Sequence, residues 1–289
     1  MKWEDQRKSS NVVDQRGGKA KVALGGGVGT IVIIVVALLL GVDPEPLLDA
    51  QKQVSPQTSS PQSGGDPAAE RPAEENRRAE FVKVVLATTE DVWSSEFKKM
   101  NKTYKEPKLV LFTESVASAC GRASASVGPF YCPADQQAYI DLSFYEDLEK
   151  KLGAPGDFAQ AYVIAHEIGH HVQNLLGAST LVHNKQRTLS KTEGNKWSVA
   201  LELQADCYSG IWAYHTDKAK QLLEKGDLEE ALNAAASIGD DTLQKRAGAT
   251  VRPETFTHGS SKQRVEWFTT GFKTGNPQDC DTFKALGLQ

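Results

Sequence analysis

From Val22 to Val42 the chain carries no charged side chain and reads VALGGGVGTIVIIVVALLLGV. About 20 predominantly apolar residues cross a bilayer core as a helix, so a single transmembrane helix is expected here. A cleaved leader fits less well, because the apolar stretch is long and no A-x-A-like site follows it. A buried helix of a soluble domain fits less well still. Gly25, Gly26, Gly27 and Gly29 weaken a helix in water, whereas Gly is common in membrane helices.

The flanks suggest an orientation. Lys2, Arg7, Lys8, Arg16, Lys19 and Lys21 precede the run, while Asp43, Glu45 and Asp49 follow it with only Lys52 opposing. The positive-inside rule then makes residues 1–21 a short cytoplasmic tail. Everything beyond Val42 is expected outside the cytoplasm, as a periplasmic or extracytoplasmic domain on a single-pass inner-membrane protein. Residues 43–78 hold six of the twelve prolines and almost no large apolar side chain. Such a stretch buries too little surface to offset its ordering entropy, so it reads as a disordered tether.

Residues 79–289 are long enough for one well-buried core. Charged residues make up 24% and hydrophobic ones 39% of the chain, near globular averages. The net charge of −4 argues against nucleic acid as partner, which favours a basic face. Helical spacing of Phe81, Val84, Val85, Val92 and Trp93 predicts a first helix. PKLVLFTES reads as a strand, and AYIDLSFYEDLEKKL begins as one at Tyr139–Leu142. GDFAQAYVIAHEIGHHVQNLLG is a long helix, opened by Asp157 and closed by Gly177. Further helices are expected from about Lys196 to Thr216 and over DLEEALNAAASIGDD. The fold class is α+β, mostly helical with a small sheet.

The long helix carries His166-Glu167-Ile168-Gly169-His170. Two His four apart share one helix face, so both imidazoles can reach one zinc ion, with Glu167 placed to reach an activated water. Gly169 is small enough to admit a neighbouring strand or substrate. A catalytic zinc site needs a third protein ligand and an open position. Glu202 and Asp206, four apart on the next long helix, lie among Leu201, Leu203, Ala205, Ile211 and Trp212. Buried carboxylates need a cation or donors, so Glu202 is the expected third ligand. Asp206 is expected to hold the free N–H of a ligating His.

HEIGHHVQNLLG followed by ELQADCYSGIW resembles the bacterial neutral zinc metallopeptidase family of membrane-anchored proteases. The resemblance extends to WEDQRKSSNVVDQRG, to GPFYCPADQQAYIDLSFYEDL and to FTHGSSKQRVEWF. It implies a zincin-like core of active-site helix plus small sheet. It also implies one zinc held by His166, His170 and Glu202, with Glu167 catalytic.

Peptide hydrolysis by a zinc-activated water follows as the expected chemistry, with Glu167 as general base and a second donor for the oxyanion. His258, in the Gly/Ser-rich FTHGSSKQR, is the candidate donor, and Tyr139 and Tyr162 are weaker ones. His171 reads as a structural hydrogen-bonding residue, while His183 and His215 show no supporting pattern. The substrate would be a peptide or protein. A zinc-stabilised binding or scaffold domain without turnover is the alternative. Retention of Glu167 speaks against it, because a purely structural site needs no base and prefers four protein ligands. All four Cys lie beyond the apolar run, in a compartment that favours disulfides. Of three connectivities, Cys120–Cys132 and Cys207–Cys280 is the expected one, since the first pair closes a local loop.

Overall fold

The computed structural model describes residues 1–17 and 71–288. The expected membrane span at 22–42 and most of the expected tether lie outside those residues. Among the described residues no helix is long and apolar enough to cross a membrane.

Helix α1, Ala73–Lys99, buries Phe81, Val82, Val85, Leu86, Trp93 and Phe97 along one flank. It begins several residues before the expected domain boundary at 79. Strand β1, Val12–Asp14, pairs in parallel with β2, Lys108–Phe112, and β2 pairs in parallel with β6, Gln137–Asp141. Strand β5, Phe130–Cys132, closes the sheet antiparallel to β6, giving the order β1-β2-β6-β5. Strands β3, Ser115–Ser118, and β4, Gly121–Ser124, form a separate hairpin. The N-terminal residues read as a separate tail thus supply an edge strand of the main sheet. A three-residue strand has too short a pattern to be recognised without its partner.

Helix α2, Phe144–Lys150, follows the sheet and leads to α3, Asp157–Leu176. Gly177 ends α3 in the left-handed region, at φ 90°, where a residue without Cβ is least strained. Helix α4, Ala178–Gln186, precedes α5, Lys191–Lys220, whose N-cap Ser190 accepts the backbone N–H of Glu193. Helices α6, Asp227–Ser237, α7, Asp240–Arg246, α8, Ser261–Thr274, and the short α9, Thr282–Ala285, complete the fold. The result is mostly helical with a small mixed sheet, as expected of an α+β chain.

Helix α3 sits at the centre. Phe158, Ile164, Ile168 and Val172 are fully buried in the main core, together with Phe97, Ile140, Trp212 and Phe268. Burial of each such side chain is worth about 1.5–3 kcal/mol over exposure. Helices α5 and α8 cross at glycines. A Cβ at Gly271 would lie 1.9 Å from the Cys207 carbonyl oxygen, and one at Gly210 would lie 2.1 Å from that of Phe268. That approach brings the first turn of α8 against the middle of α5.

Both expected disulfides are present. Cys120–Cys132 joins the end of the β3–β4 hairpin to β5, and Cys207–Cys280 pins the C-terminal turn to α5. Their separations of 12 and 73 residues correspond to about 3 and about 4 kcal/mol of loop-closure stabilisation.

Candidate metal centre

His166 and His170 project from α3 towards Glu202 on α5. Ligand atoms of the three lie within 4.8 Å of one another. His166 Nε2 is 3.2 Å from Glu202 Oε2, and His170 Nε2 is 3.4 Å from Glu202 Oε1. A tetrahedral ion with bonds of about 2.0–2.1 Å sets its ligands about 3.3 Å apart, and each imidazole nitrogen stands near that distance from one Glu202 oxygen. Two imidazole nitrogens and one carboxylate oxygen suit zinc and leave a fourth position for substrate or water.

The ring orientations are fixed from behind. Asp206 Oδ1 accepts the Nδ1–H of His166 at 2.9 Å, and Gln173 Oε1 accepts that of His170 at 2.8 Å. Both Nε2 atoms are thereby directed at the common point. Gln173 donates in turn to the Leu201 carbonyl oxygen on α5. Gly169 makes room for this arrangement, since a Cβ there would lie 3.0 Å from the Ala205 carbonyl oxygen. The close neighbour that needs this glycine is therefore helix α5, rather than the strand or substrate expected from the sequence.

Asp206 is fully buried and serves more than His166. Its carboxylate also accepts Nε and Nη2 of Arg264, at 2.9 and 3.0 Å, and the Tyr162 hydroxyl. Burial alone would raise its pKa, but the Arg264 and His166 charges outweigh that and hold it below the usual carboxylate range. Burial also opposes a charge on His166, yet Asp206 and Glu202 lift its pKa to about 10. Arg264 lies in the first turn of α8 and reaches Asp206 because of the glycine crossing. Nothing in the local sequence of Arg264 distinguishes it from a surface arginine, and sequence reasoning missed it.

The centre opens into a cleft of about 530 Å³ lined by His166, Glu167, His170, Glu202 and His258. Glu167 is buried beside both histidines. Burial raises its carboxyl pKa, with the His170 and His166 charges pulling the other way. His258 faces the cleft from the loop before α8, and its Nδ1 lies 3.1 Å from Asp240 Oδ1. The other Asp240 oxygen accepts the backbone N–H groups of Thr257, His258 and Gly259. Asp240 is a second residue the sequence did not reveal, since it lies at the start of a different helix.

The remaining candidates separate. Tyr162 lines the cleft but donates to Asp206, and Tyr139 donates to Asp135 away from the centre. His171 is fully buried, accepts from Tyr131 and donates Nε2–H to the Lys105 carbonyl oxygen. His183 lines the outer cleft, and His215 donates to the Gly275 carbonyl oxygen elsewhere. A second acidic group, Asp157, Asp227 and Glu230, lies against the Met1 ammonium, which is 2.8 Å from Asp157.

Comparison with known proteins agrees with this picture. The chain is 46% identical to the uncharacterized protein YpfJ of Escherichia coli over 98% of its own length and 99% of that protein's. It is 41% identical to the uncharacterized protein Rv2575 of Mycobacterium tuberculosis over 87% of its own length and 86% of that protein's. No solved structure matches it. A family model described as "Putative neutral zinc metallopeptidase" matches residues 1–283, so the chain belongs to the neutral zinc metallopeptidase family.

Proposed function

We propose that the protein is a zinc-dependent peptidase with a zincin-like centre in which His166, His170 and Glu202 hold one zinc ion. The observation that carries this reading is the position of Glu167. A carboxylate with no zinc-ligand role lines the cleft directly beside three metal-competent side chains. Zinc, when bound, supplies a Lewis acid that polarises a carbonyl and makes water acidic enough to attack near neutral pH.

The chain's own residues supply the rest. Glu167 accepts a proton as the water oxygen bonds to the scissile carbonyl carbon, then delivers it to the amine nitrogen as the C–N bond breaks. Its raised pKa suits a group that must both take and return a proton. His258, oriented by Asp240, donates to the carbonyl oxygen as that oxygen gains negative charge. The Arg264–Asp206 pair holds His166 in its tautomer.

The outer cleft supports an endopeptidase. Val127, Pro129, Phe130, Phe144, Ile238 and Leu243 line it, with no lysine or aspartate in its wall among the described residues. Among the lining residues, Arg264 is already engaged by Asp206. A chain passing through with a bulky apolar side chain fits this wall. Attachment to the membrane through residues 22–42, with the folded body on the oxidising side, belongs to the same reading and is supported by the uncharged run and the two disulfides.

The test is cleavage of an internally quenched peptide library by zinc-loaded full-length protein in detergent. Cleavage within the peptides and beside apolar residues, abolished in Glu167→Gln, is the expected result. Folded, zinc-loaded protein that cleaves nothing would favour a binding or scaffold role.

A further inference from the structure

Residues 1–17 are not an appendage of the folded body. Backbone pairing ties β1 into the sheet in the register Val12↔Leu109, Val13↔Val110 and Asp14↔Leu111. On either side, Leu109 N–H donates to the Asn11 carbonyl oxygen and Gln15 N–H to that of Leu111. Ser9 N–H donates to the Lys83 carbonyl oxygen on α1, and Trp3 packs edge-on against Phe81 at 5.4 Å between ring centroids.

Glu90 makes the dependence specific. It is 2% exposed on α1, and its carboxylate is met by the Ser9 hydroxyl at 2.5 Å, by Asn11 Nδ2 at 2.8 Å and by Arg7 Nη1 at 2.9 Å. Each of these partners comes from residues 7–11. A buried carboxylate stripped of them would be a costly uncompensated charge, so α1 in this form requires the N-terminal segment beside it.

Residues 14–16 also meet Arg71 and the start of α1. Arg71 Nη1 donates to Asp14 Oδ2 at 2.9 Å, and Arg71 also donates to the Arg16 carbonyl oxygen. Arg16, with its side chain 3% exposed, donates to Asp14 and to Glu75 on α1. Asp14, Arg16, Arg71 and Glu75 thus form one cluster of ion pairs and hydrogen bonds.

From these contacts we propose that residues 1–17 and 71–288 occupy the same side of the membrane. That placement is incompatible with residues 1–21 as a cytoplasmic tail beside an extracytoplasmic body. The charge count behind that expectation has a structural explanation. Of its six basic residues, Arg7 pairs with Glu90 and Asp91, Lys8 with Glu80, and Arg16 with Asp14 and Glu75. Those three charges serve the fold, so they do not report which side of a bilayer the segment prefers.

This inference rests on the membrane attachment in the proposed function but not on catalysis, so its test needs no activity. All four native cysteines are in disulfides, which leaves introduced thiols as sole reporters. Full-length Ser10→Cys and Lys262→Cys, both exposed positions, are exposed in spheroplasts to a membrane-impermeant maleimide before and after permeabilisation. The expected result is labelling of both before permeabilisation. Labelling of both only afterwards would keep the shared side while moving the body to the cytoplasm, against the proposed extracytoplasmic placement. Labelling of one before and the other only after would overturn the inference. As a second measurement, Lys8→Cys with Glu80→Cys, whose native side chains meet at 2.7 Å, should be joined by a short bifunctional maleimide in the membrane-bound protein. No cross-link under conditions where both thiols react singly would also overturn it.

Discussion

Asp206 Oδ1 and His166 Nδ1 meet at 2.9 Å across two helices, and the same carboxylate is clamped by Arg264 from a third. Asp206 therefore aligns a metal ligand and neutralises a buried guanidinium at once. Replacement of Asp206 by Ala should weaken zinc binding about 10–100-fold. It should also cost about 3–5 kcal/mol of stability, because Arg264 is left buried without its counter-charge. Glu202→Ala should lose more zinc and less stability. Zinc content by metal analysis and denaturant unfolding separate the two effects, and equal zinc content in wild type and Glu202→Ala would remove Glu202 from the ligand set.

Glu167→Gln retains side-chain size and removes the base. Zinc content and fold should persist, while turnover should fall by about 10²–10⁴-fold. Undiminished cleavage by the zinc-loaded variant would assign the base elsewhere.

His258→Ala should lower kcat by about 10²–10³-fold with little change in KM, as for a donor used mainly in the transition state. Burial opposes a proton on His258, but the hydrogen bond and charge of Asp240, with the charge of Glu202, raise its pKa above the usual imidazole value. The donor form is therefore kept to higher pH and is lost as pH rises through that raised value. Asp240→Asn removes the charge that helps hold the proton, so the alkaline limb of the kcat profile should move to lower pH. An unmoved limb would dissociate Asp240 from the titration.

His171 provides a stability prediction. Burial drives its pKa down to about 4, so it stays neutral in the folded protein while the unfolded chain takes up a proton below about pH 6.5. The unfolded state binds more protons between those values, so stability rises with pH across that window and is lost as pH falls through it. The full effect is roughly 3 kcal/mol. His171→Gln should be less stable than wild type at pH 7 but should show a shallower decline between pH 6.5 and 4 in urea unfolding. An unchanged slope would exclude His171 as the titrating group.

The amino-acid sequence by itself determined what depends on neighbours three or four residues apart. Helical periodicity, the Gly177 stop and the spacing of His166 with His170 specify α3 and the face on which its imidazoles stand. Glu202 and Asp206 were legible for the same reason, as carboxylates at helical spacing among apolar side chains. Tertiary structure decided what depends on contacts between distant segments. Arg264 joins Asp206 across 58 residues because glycines let α8 approach α5, and Asp240 reaches His258 from another helix. Residues 1–17 looked like a charged tail because their hydrogen-bond partners lie about 80 to 100 residues away, at Ala87, Glu90 and Glu106. A strand with too few residues to show a period, and a charge whose partner is remote, carry no local signature. Only the packed chain brings each to the group that satisfies it.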